Sequence, residues 1–236
     1  MPDGTTATEV VLGALERTVG RGSARFELRF DAKLEDAFTS GPGRSPLPGD
    51  LKGRLLWRMM GWLLPRFITH ITKEPATGVV DFQAHRCVFG SSPGNSSLII
   101  GDRHWSGSPG TTLAGLHDKP ATTSQPLWLV DLLYGVMDAR EQAVEDIDGR
   151  NARRFLAHAD LDRASAAASY TLAVPDDAAK RTDDGHLAVD VWIDDDGHIR
   201  RIRHTALAEP HPLFTVTVDL TDFGTALPSD WSRIPA

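Results

Sequence analysis

The sequence is poor in cysteine, and Cys87 is the single one among 236 residues. One cysteine excludes an internal disulfide and a cysteine-based metal cluster. A chain of this length can bury enough surface for a stable core without such cross-links. Cys87 lies in the stretch GVVDFQAHRCVF, which is typical of a strand, and we expect it to be a small residue of the core.

Long apolar runs are also missing from the sequence. No stretch reaches the ~18–20 consecutive apolar residues that a membrane-spanning helix needs. The first residues, MPDGTTATEVV, do not combine a basic stretch with the apolar run of a secretory signal peptide. We therefore expect a water-soluble, cytoplasmic protein, or a protein of the cell envelope if the sequence is part of a longer exported chain.

The sequence has fewer basic than acidic residues. The formal net charge is −7, from 25 Lys and Arg against 32 Asp and Glu. A general nucleic-acid binder needs a basic face that displaces counterions from the phosphates. We expect no nucleic acid among the partners of this protein.

The sequence gives little support for catalysis or metal binding. The nine histidines are scattered, and His85 with Cys87 offers two ligands on one face of a predicted strand without a visible third. The acidic stretch Asp194–Gly197 lacks the alternating carboxylates and the later Glu of a calcium loop, and it predicts a hairpin turn instead. No nucleophile and base can be paired. We expect no catalytic residues, no metal and no cofactor.

A helix is predicted near the start of the sequence. Thr6 and Glu9 have the spacing of a capping box, in which each side chain binds a free backbone N–H at the helix start. Val11 and Leu15 recur at helical spacing, and Gly20 marks the end. Residues 25–32 then alternate between apolar and charged side chains, which predicts a half-buried antiparallel strand.

Strands dominate the rest of the sequence. They are predicted at about 78–89, 97–105, 143–147, 152–159, 187–193, 199–205 and 214–220. Turns are expected at 91–95, Asp148-Gly149 and Asp196-Gly197, because Asp-Gly pairs favour tight hairpins.

Helices and loops are expected between these strands. Residues 107–125 read as a loop. Pro126 opens a helix whose apolar face is Leu129, Leu132, Leu133 and Val136, and a short helix follows Asp160. Because strands follow one another without β-α-β alternation, the sequence predicts an α+β fold with a large curved antiparallel sheet, an open half-barrel covered by inserted helices. We expect a single domain over residues 1–236.

An inserted helical segment is predicted at about 40–75, and its residues 51–64, LKGRLLWRMMGWLL, form an amphipathic helix. Arg54 and Arg58 share one narrow sector, and the opposite arc is apolar. Three interpretations stay open. The helix packs as core, forms a lid or wall of a ligand cavity, or docks on an anionic membrane surface.

Two stretches of the sequence resemble a known family. VWIDDDGHIRR, starting at Val191, and VDLTDFG, starting at Val218, are similar to strand ends of the LolA/LppX-like lipoproteins, the lipid-carrier family that includes mycobacterial-type LppX and LprG. The resemblance covers about residues 8–225. It implies an open half-barrel sheet whose helices plug a hydrophobic cavity for acyl chains or lipoproteins. Members are normally exported and often anchored by a lipid, whereas this sequence shows no signal peptide or lipobox.

These patterns predict non-enzymatic binding of a hydrophobic small molecule or lipid, as a carrier or sensor. The candidate lining residues are apolar residues of the strands and of the two predicted helices, namely Phe26, Leu28, Phe30, Leu56, Met60, Leu63, Phe82, Leu129 and Leu133. The alternative is a cytoplasmic protein-interaction or regulatory domain with a plugged sheet and no ligand.

Overall fold

The structure, a computed structural model, describes residues 5–32, 75–92, 95–100, 103–107, 117–120, 126–168, 186–208 and 211–226. Eleven strands are found in these ranges: β1 Ser23–Ala32, β2 Ala76–Asp81, β3 Arg86–Ser92, β4 Asn95–Ile100, β5 Arg103–Gly107, β6 His117–Pro120, β7 Val136–Ile147, β8 Arg150–Asp160, β9 His186–Asp194, β10 Ile199–Ala208 and β11 His211–Thr221. The helices of the same ranges are α1 Ala7–Gly20, α2 Pro126–Leu132 and α3 Leu161–Ala168, with a 3-10 turn at Leu133–Gly135.

All eleven strands belong to one antiparallel sheet in the order β6-β5-β4-β3-β2-β1-β11-β10-β9-β8-β7. The strand β1 lies in its middle, where Phe26 is opposite Leu220 of β11 on one side and Gly78 of β2 on the other. The sheet stays open, with β6 and β7 at its edges. The expected fold class, α+β with a large curved antiparallel sheet, is confirmed.

The predicted start of α1 is confirmed in detail. The backbone N–H of Thr6 donates to Glu9 Oε2 at 2.7 Å, and that of Glu9 donates to Thr6 Oγ1 at 3.2 Å. These two bonds satisfy donors that have no partner within the helix. At the other end, Thr18 Oγ1 accepts from the backbone of Ile199 at 2.9 Å, which ties α1 to β10.

The helices pack on one face of the sheet, called here the inner face. The longest, α1, contacts mainly β7 and also reaches β8, β9 and β10, while α3 contacts β8. The short helix α2 contacts both β3 and β10, although three strands separate these two in the sheet. In a flat sheet their axes would be about 19 Å apart. The position of α2 therefore fits a sheet that curves around it.

Alternation along the strands decides which side chains reach the inner face. On β9 the inward residues Leu187, Val189, Val191 and Ile193 are all buried, as the alternation predicted. The thiol of Cys87 is fully buried on β3, and burial raises its pKa. Cys87 is thus a residue of the core, as expected.

Two predicted strands are wrong because each is a hairpin. The stretch 78–89 turns back at residues 82–85, where Asp81 Oδ1 accepts from the backbone of Ala84 at 3.0 Å and His85 adopts a φ of 46°. His85 therefore lies in a turn and does not share a strand face with Cys87. The stretch 97–105 is divided between β4 and β5.

Other sequence predictions have mixed outcomes. The expected loop at 107–125 contains β6. The Asp148-Gly149 turn is confirmed, and both residues have positive φ, 53° and 79°, as a tight hairpin requires.

The inserted segment at 40–75 lies almost entirely outside the described residues. Among the described residues, no helix is long and apolar enough to cross a membrane.

Candidate ligand-binding site

The inner face brings most of the predicted lining residues together. Phe26, Leu28, Phe82, Leu129 and Leu133 are buried in one apolar cluster. Phe30 is partly buried and packs against the same cluster. The three remaining candidates, Leu56, Met60 and Leu63, lie outside the described residues.

An aromatic contact crosses the sheet at Gly78. The rings of Phe26 and Phe89 meet edge to face, with 5.9 Å between their centroids. They flank Gly78, which is opposite both residues in the strand register. A side chain at this position would collide with the Val88 carbonyl and with Phe89 itself. Glycine therefore lets the two rings approach across the intervening strand.

The helix α2 lies within the core and not on the surface. Its residues from Leu127 to Leu132 are all buried, including Trp128 and Asp131. The prediction of a single apolar face for this helix is therefore wrong, because the helix is buried on all sides. Val136, assigned to that face, begins β7 after the 3-10 turn. A helix that is buried on all sides belongs to the core of a domain.

A polar spot lies beside α2. The Asp131 carboxylate is buried, and its Oδ2 is 3.8 Å from Nδ1 of His85. Burial, followed by the negative charges of Asp131 and Glu16, raises the pKa of the nearby Tyr134 hydroxyl. The inner face is therefore not uniformly apolar at the end of α2.

A second polar pair lies between α2 and β10, and the sequence analysis missed it. The rings of Trp128 and His204 are 6.1 Å apart between centroids, and both residues are buried. Nδ1 of His204 lies 3.0 Å from the Ala188 carbonyl oxygen. Trp128 Nε1 has no acceptor among the described residues. No local pattern identifies this pair, because its members come from different elements.

The opposite, outer face of the sheet carries arginines and carboxylates. Asp219 accepts from Arg29 and Arg201, with 3.0 Å between Arg201 Nη2 and Asp219 Oδ2. Asp190 accepts from Arg154 Nε at 2.9 Å and from Arg203 Nη2 at 2.8 Å. These bonds link neighbouring strands across the outer face, and each of the four guanidinium groups is paired with a carboxylate.

Trp192 lies at the centre of this outer network. Its Nε1 donates to Glu145 Oε2 at 2.9 Å, and this bond is the first cause that lowers the pKa of Glu145. The guanidinium carbons of Arg203, Arg154 and Arg201 lie 4.9, 5.3 and 5.9 Å from the indole centroid. Cations at such distances are attracted to the face of the ring.

A cavity of about 470 Å³ opens on the outer face and is lined largely by polar side chains, among them Arg25, Arg29, Thr77, Asp148 and Asp219. Its lining holds both signs of charge. It does not have the apolar walls that a hydrophobic ligand requires.

The acidic stretch 194–197 forms the predicted hairpin turn between β9 and β10. Side-chain ligand atoms of Asp194, Asp196 and His198 come within 4.8 Å of one another. The Asp194 carboxylate, however, already accepts from the His198 backbone at 2.8 Å and from Arg200. Burial raises the pKa of Asp194, but these bonds outweigh it and the net pKa is lowered. The hydrogen bonds of this carboxylate thus stabilise the turn.

The residues 90–94, GSSPG, have the G-x-S-x-G spacing of a hydrolase nucleophile elbow. In the structure Ser92 is opposite Asn95, so the stretch joins the antiparallel strands β3 and β4. The elbow of hydrolases connects a strand to a helix. The described geometry at Ser92 is therefore that of a hairpin.

Comparison with known proteins relates the fold to solved structures. No protein-family model matches the chain, and no curated protein sequence matches it. The crystal structure of lipoprotein LppX from Mycobacterium tuberculosis matches with a TM-score of 0.50 and 13% identity, covering 94% of this chain and 97% of that one. LprF from Mycobacterium bovis matches with a TM-score of 0.48 and 11% identity, covering 96% and 97%.

The likeness to LppX concerns the fold. It extends over nearly the whole length of both chains, so the arrangement of strands and helices is common to them. The protein therefore has a LolA/LppX-like fold, as the resemblance of its strand ends implied.

Proposed function

We propose that the protein binds a hydrophobic molecule, an acyl lipid or a lipid-like compound, between the inner face of the sheet and the helices that cover it. It acts by binding, without catalysis, as a carrier or a sensor within a single domain over residues 1–236. The observation that carries the proposal is the apolar cluster of the inner face, where Phe26 and Leu28 of β1 join Leu129 of α2 and Leu133 of the turn that follows it.

The distribution of the helices supports this location. The described helices make their main contacts with β3 and with β7–β10. The inner face of β1, β2 and β4 extends beyond these contacts and carries Leu28, Val80 and Ile99, which are buried. Because these side chains are buried, ligand binding at this part of the face requires a change in their packing.

The energy of such binding comes from desolvation. Each methylene that leaves water contributes about 0.8 kcal/mol. An acyl chain of ordinary length thus gains on the order of 10 kcal/mol before the cost of ordering is subtracted. The apolar lining is sufficient for this, and polar groups are needed only to select among ligands.

The proposal is tested first by native mass spectrometry of freshly purified protein, followed by solvent extraction and lipid analysis. We expect a co-purifying acyl lipid at near-stoichiometric amount, or uptake of added hexadecanoic acid. A mass without ligand that also ignores the added acid contradicts the proposal. It would favour the alternative, a protein-interaction domain with a plugged sheet.

A pair of variants locates the site. Phe30→Ala removes an aromatic ring that packs against the inner cluster, and Val79→Ala removes a half-buried side chain from the outer face of the neighbouring strand. We expect Phe30→Ala to weaken hexadecanoic acid binding by about tenfold and Val79→Ala to leave it unchanged. Equal effects of both variants would contradict a site on the inner face.

The segment 51–64 adds a further proposal, which rests on the sequence alone. Leu56, Met60 and Leu63 are proposed to contact the ligand, and Arg58 to contact an anionic membrane surface. Co-sedimentation with vesicles of phosphatidylglycerol should decrease in Arg58→Glu and persist in Arg140→Glu, which makes the same charge change at an exposed position of β7. Vesicles of phosphatidylcholine serve as the neutral control. Equal binding to both lipids would contradict the membrane contact.

A further inference from the structure

The indole nitrogen of Trp128 is a buried donor for which the described residues supply no acceptor. Only 1% of the Trp128 surface is exposed, and no described residue accepts a hydrogen bond from its Nε1. Buried indole N–H groups normally find a partner, because an unpaired donor keeps the full cost of desolvation. Such an unpaired buried donor is a candidate contact for a molecule that enters the core.

The ring of Trp128 has a polar neighbour, and Trp128 also belongs to the apolar cluster of the inner face. Towards β10 lies the ring of His204, whose Nδ1 is 3.0 Å from the Ala188 carbonyl oxygen. A carbonyl can only accept, so Nδ1 carries the proton. Burial lowers the pKa of His204 and thus favours the neutral ring, in which Nε2 is the acceptor.

A hydrocarbon placed against this helix would leave the indole donor unsatisfied. An ester, carboxyl or hydroxyl oxygen would accept its hydrogen bond, and a hydroxyl could also donate to Nε2 of the His204 ring. We propose that Trp128 Nε1 anchors the oxygen-bearing end of the ligand, so that the protein prefers lipids with such an oxygen over plain hydrocarbons. This inference rests on the proposed function and names the chemical class of its ligand.

The test offers the protein 1-hexadecanol and hexadecane together from cyclodextrin. The two molecules have the same chain length and differ by one oxygen. After gel filtration, the bound lipids are extracted and their ratio is measured by gas chromatography with mass detection. We expect the wild-type protein to retain the alcohol in preference, and Trp128→Phe to reduce the alcohol-to-hydrocarbon ratio by about tenfold.

Trp192→Phe is the matched control. Trp192 is as buried as Trp128, but it lies on the outer face and its Nε1 is bonded to Glu145. The same chemical change there should leave the bound ratio unchanged. A ratio that is unaffected in Trp128→Phe, or that falls equally in both variants, overturns the inference.

A spectroscopic readout on the wild-type protein keeps the test valid if Trp128→Phe does not fold. In a ¹⁵N-labelled sample, the assigned indole N–H signal of Trp128 should move downfield with 1-hexadecanol and stay in place with hexadecane. A signal that responds equally to both ligands overturns the inference. Binding of both without preference contradicts the anchor and leaves the proposed function standing, whereas binding of neither contradicts both.

Discussion

Trp128 and Trp192 have the same side chain and the same degree of burial, but they lie on opposite faces of one sheet. The indole of Trp192 donates to Glu145 and is surrounded by three arginines. That of Trp128 is surrounded by apolar residues and His204, with no described acceptor. The indole N–H of Trp192 is thus satisfied by a side chain of its own face. The indole N–H of Trp128 is the group that the proposed ligand would satisfy.

The two faces also differ in the kind of interaction that holds them. The inner face is stabilised by burial of apolar side chains, which is not directional. The outer face is stabilised by directed bonds between arginines and carboxylates of neighbouring strands. Substitutions on the two faces should therefore change the free energy of unfolding by different amounts.

The largest loss of stability is expected from Phe155→Ala on β8. Phe155 is fully buried on the inner face, and loss of its ring should lower the free energy of unfolding by about 3–5 kcal/mol. The next residue, Leu156, is half-buried on the outer face, and Leu156→Ala should cost about 1 kcal/mol. Urea denaturation measures both. Equal losses would show that the two faces contribute alike.

The second-largest loss of stability is expected in the outer network of arginines and carboxylates. Asp219→Asn keeps the shape of the side chain but removes the charge that Arg29 and Arg201 share, and it should cost about 1–3 kcal/mol. The control is Asp222→Asn, at an exposed ion pair with Arg25, which should cost less than about 0.5 kcal/mol. Similar losses for both would mean that burial of Asp219 adds nothing to the ion pair.

The stability of the protein at decreasing pH should depend on His204, whose pKa is lowered by burial. The folded pKa is below the unfolded value of about 6.5, so the unfolded state binds protons first as the pH falls. Stability should be constant above this value and fall below it, by at most about 1.4 kcal/mol per pH unit for one group. His204→Phe should flatten the decrease between about pH 6.5 and pH 5.5. His198, whose pKa burial also lowers, acts in the same direction.

Unfolding free energies measured across that pH range check this prediction. A decrease of equal slope in the wild-type protein and in His204→Phe would contradict it. The Asp194 carboxylate has a lowered pKa and should affect stability only at lower pH. Its contribution is present above the unfolded pKa of about 3.9 and is lost as the pH falls through the folded one.

The smallest effect is expected at the edge strand β7. Val144 is 62% exposed there, and Val144→Thr should change the free energy of unfolding by less than about 0.5 kcal/mol. A larger loss would mean that this side chain is covered in solution, which light scattering of the protein would detect as association.

Local signals in the sequence predicted those elements whose structure depends on neighbouring residues. Thr6 and Glu9 define the start of α1, and Asp148-Gly149 defines a hairpin, because in both cases all the required groups lie within a few residues. The turn at 82–85 was missed since it contains no glycine or proline. Phe82 continues the apolar alternation, and the turn instead depends on the Asp81 side chain and the unusual φ of His85.

The candidate site was predictable only in part. Alternation placed Phe26 and Leu28 in the core, since a residue's face on a strand follows from its position alone. The approach of Trp128 to His204 depends on where α2 crosses the sheet. That position is set by contacts with strands far apart in the sequence, which no local pattern encodes.

The central position of β1 has a consequence for how the chain folds. Arg25 is opposite Thr221, so the middle of the sheet joins an early strand to the last described one. Ribosomes deliver the chain from its N-terminus, and β1 cannot gain this neighbour until β11 has emerged. Pairing across such a separation closes a large loop and is slow. Until then β1 can pair with β2 on one side, but its other edge stays open, and an open strand edge makes a nascent chain prone to aggregate.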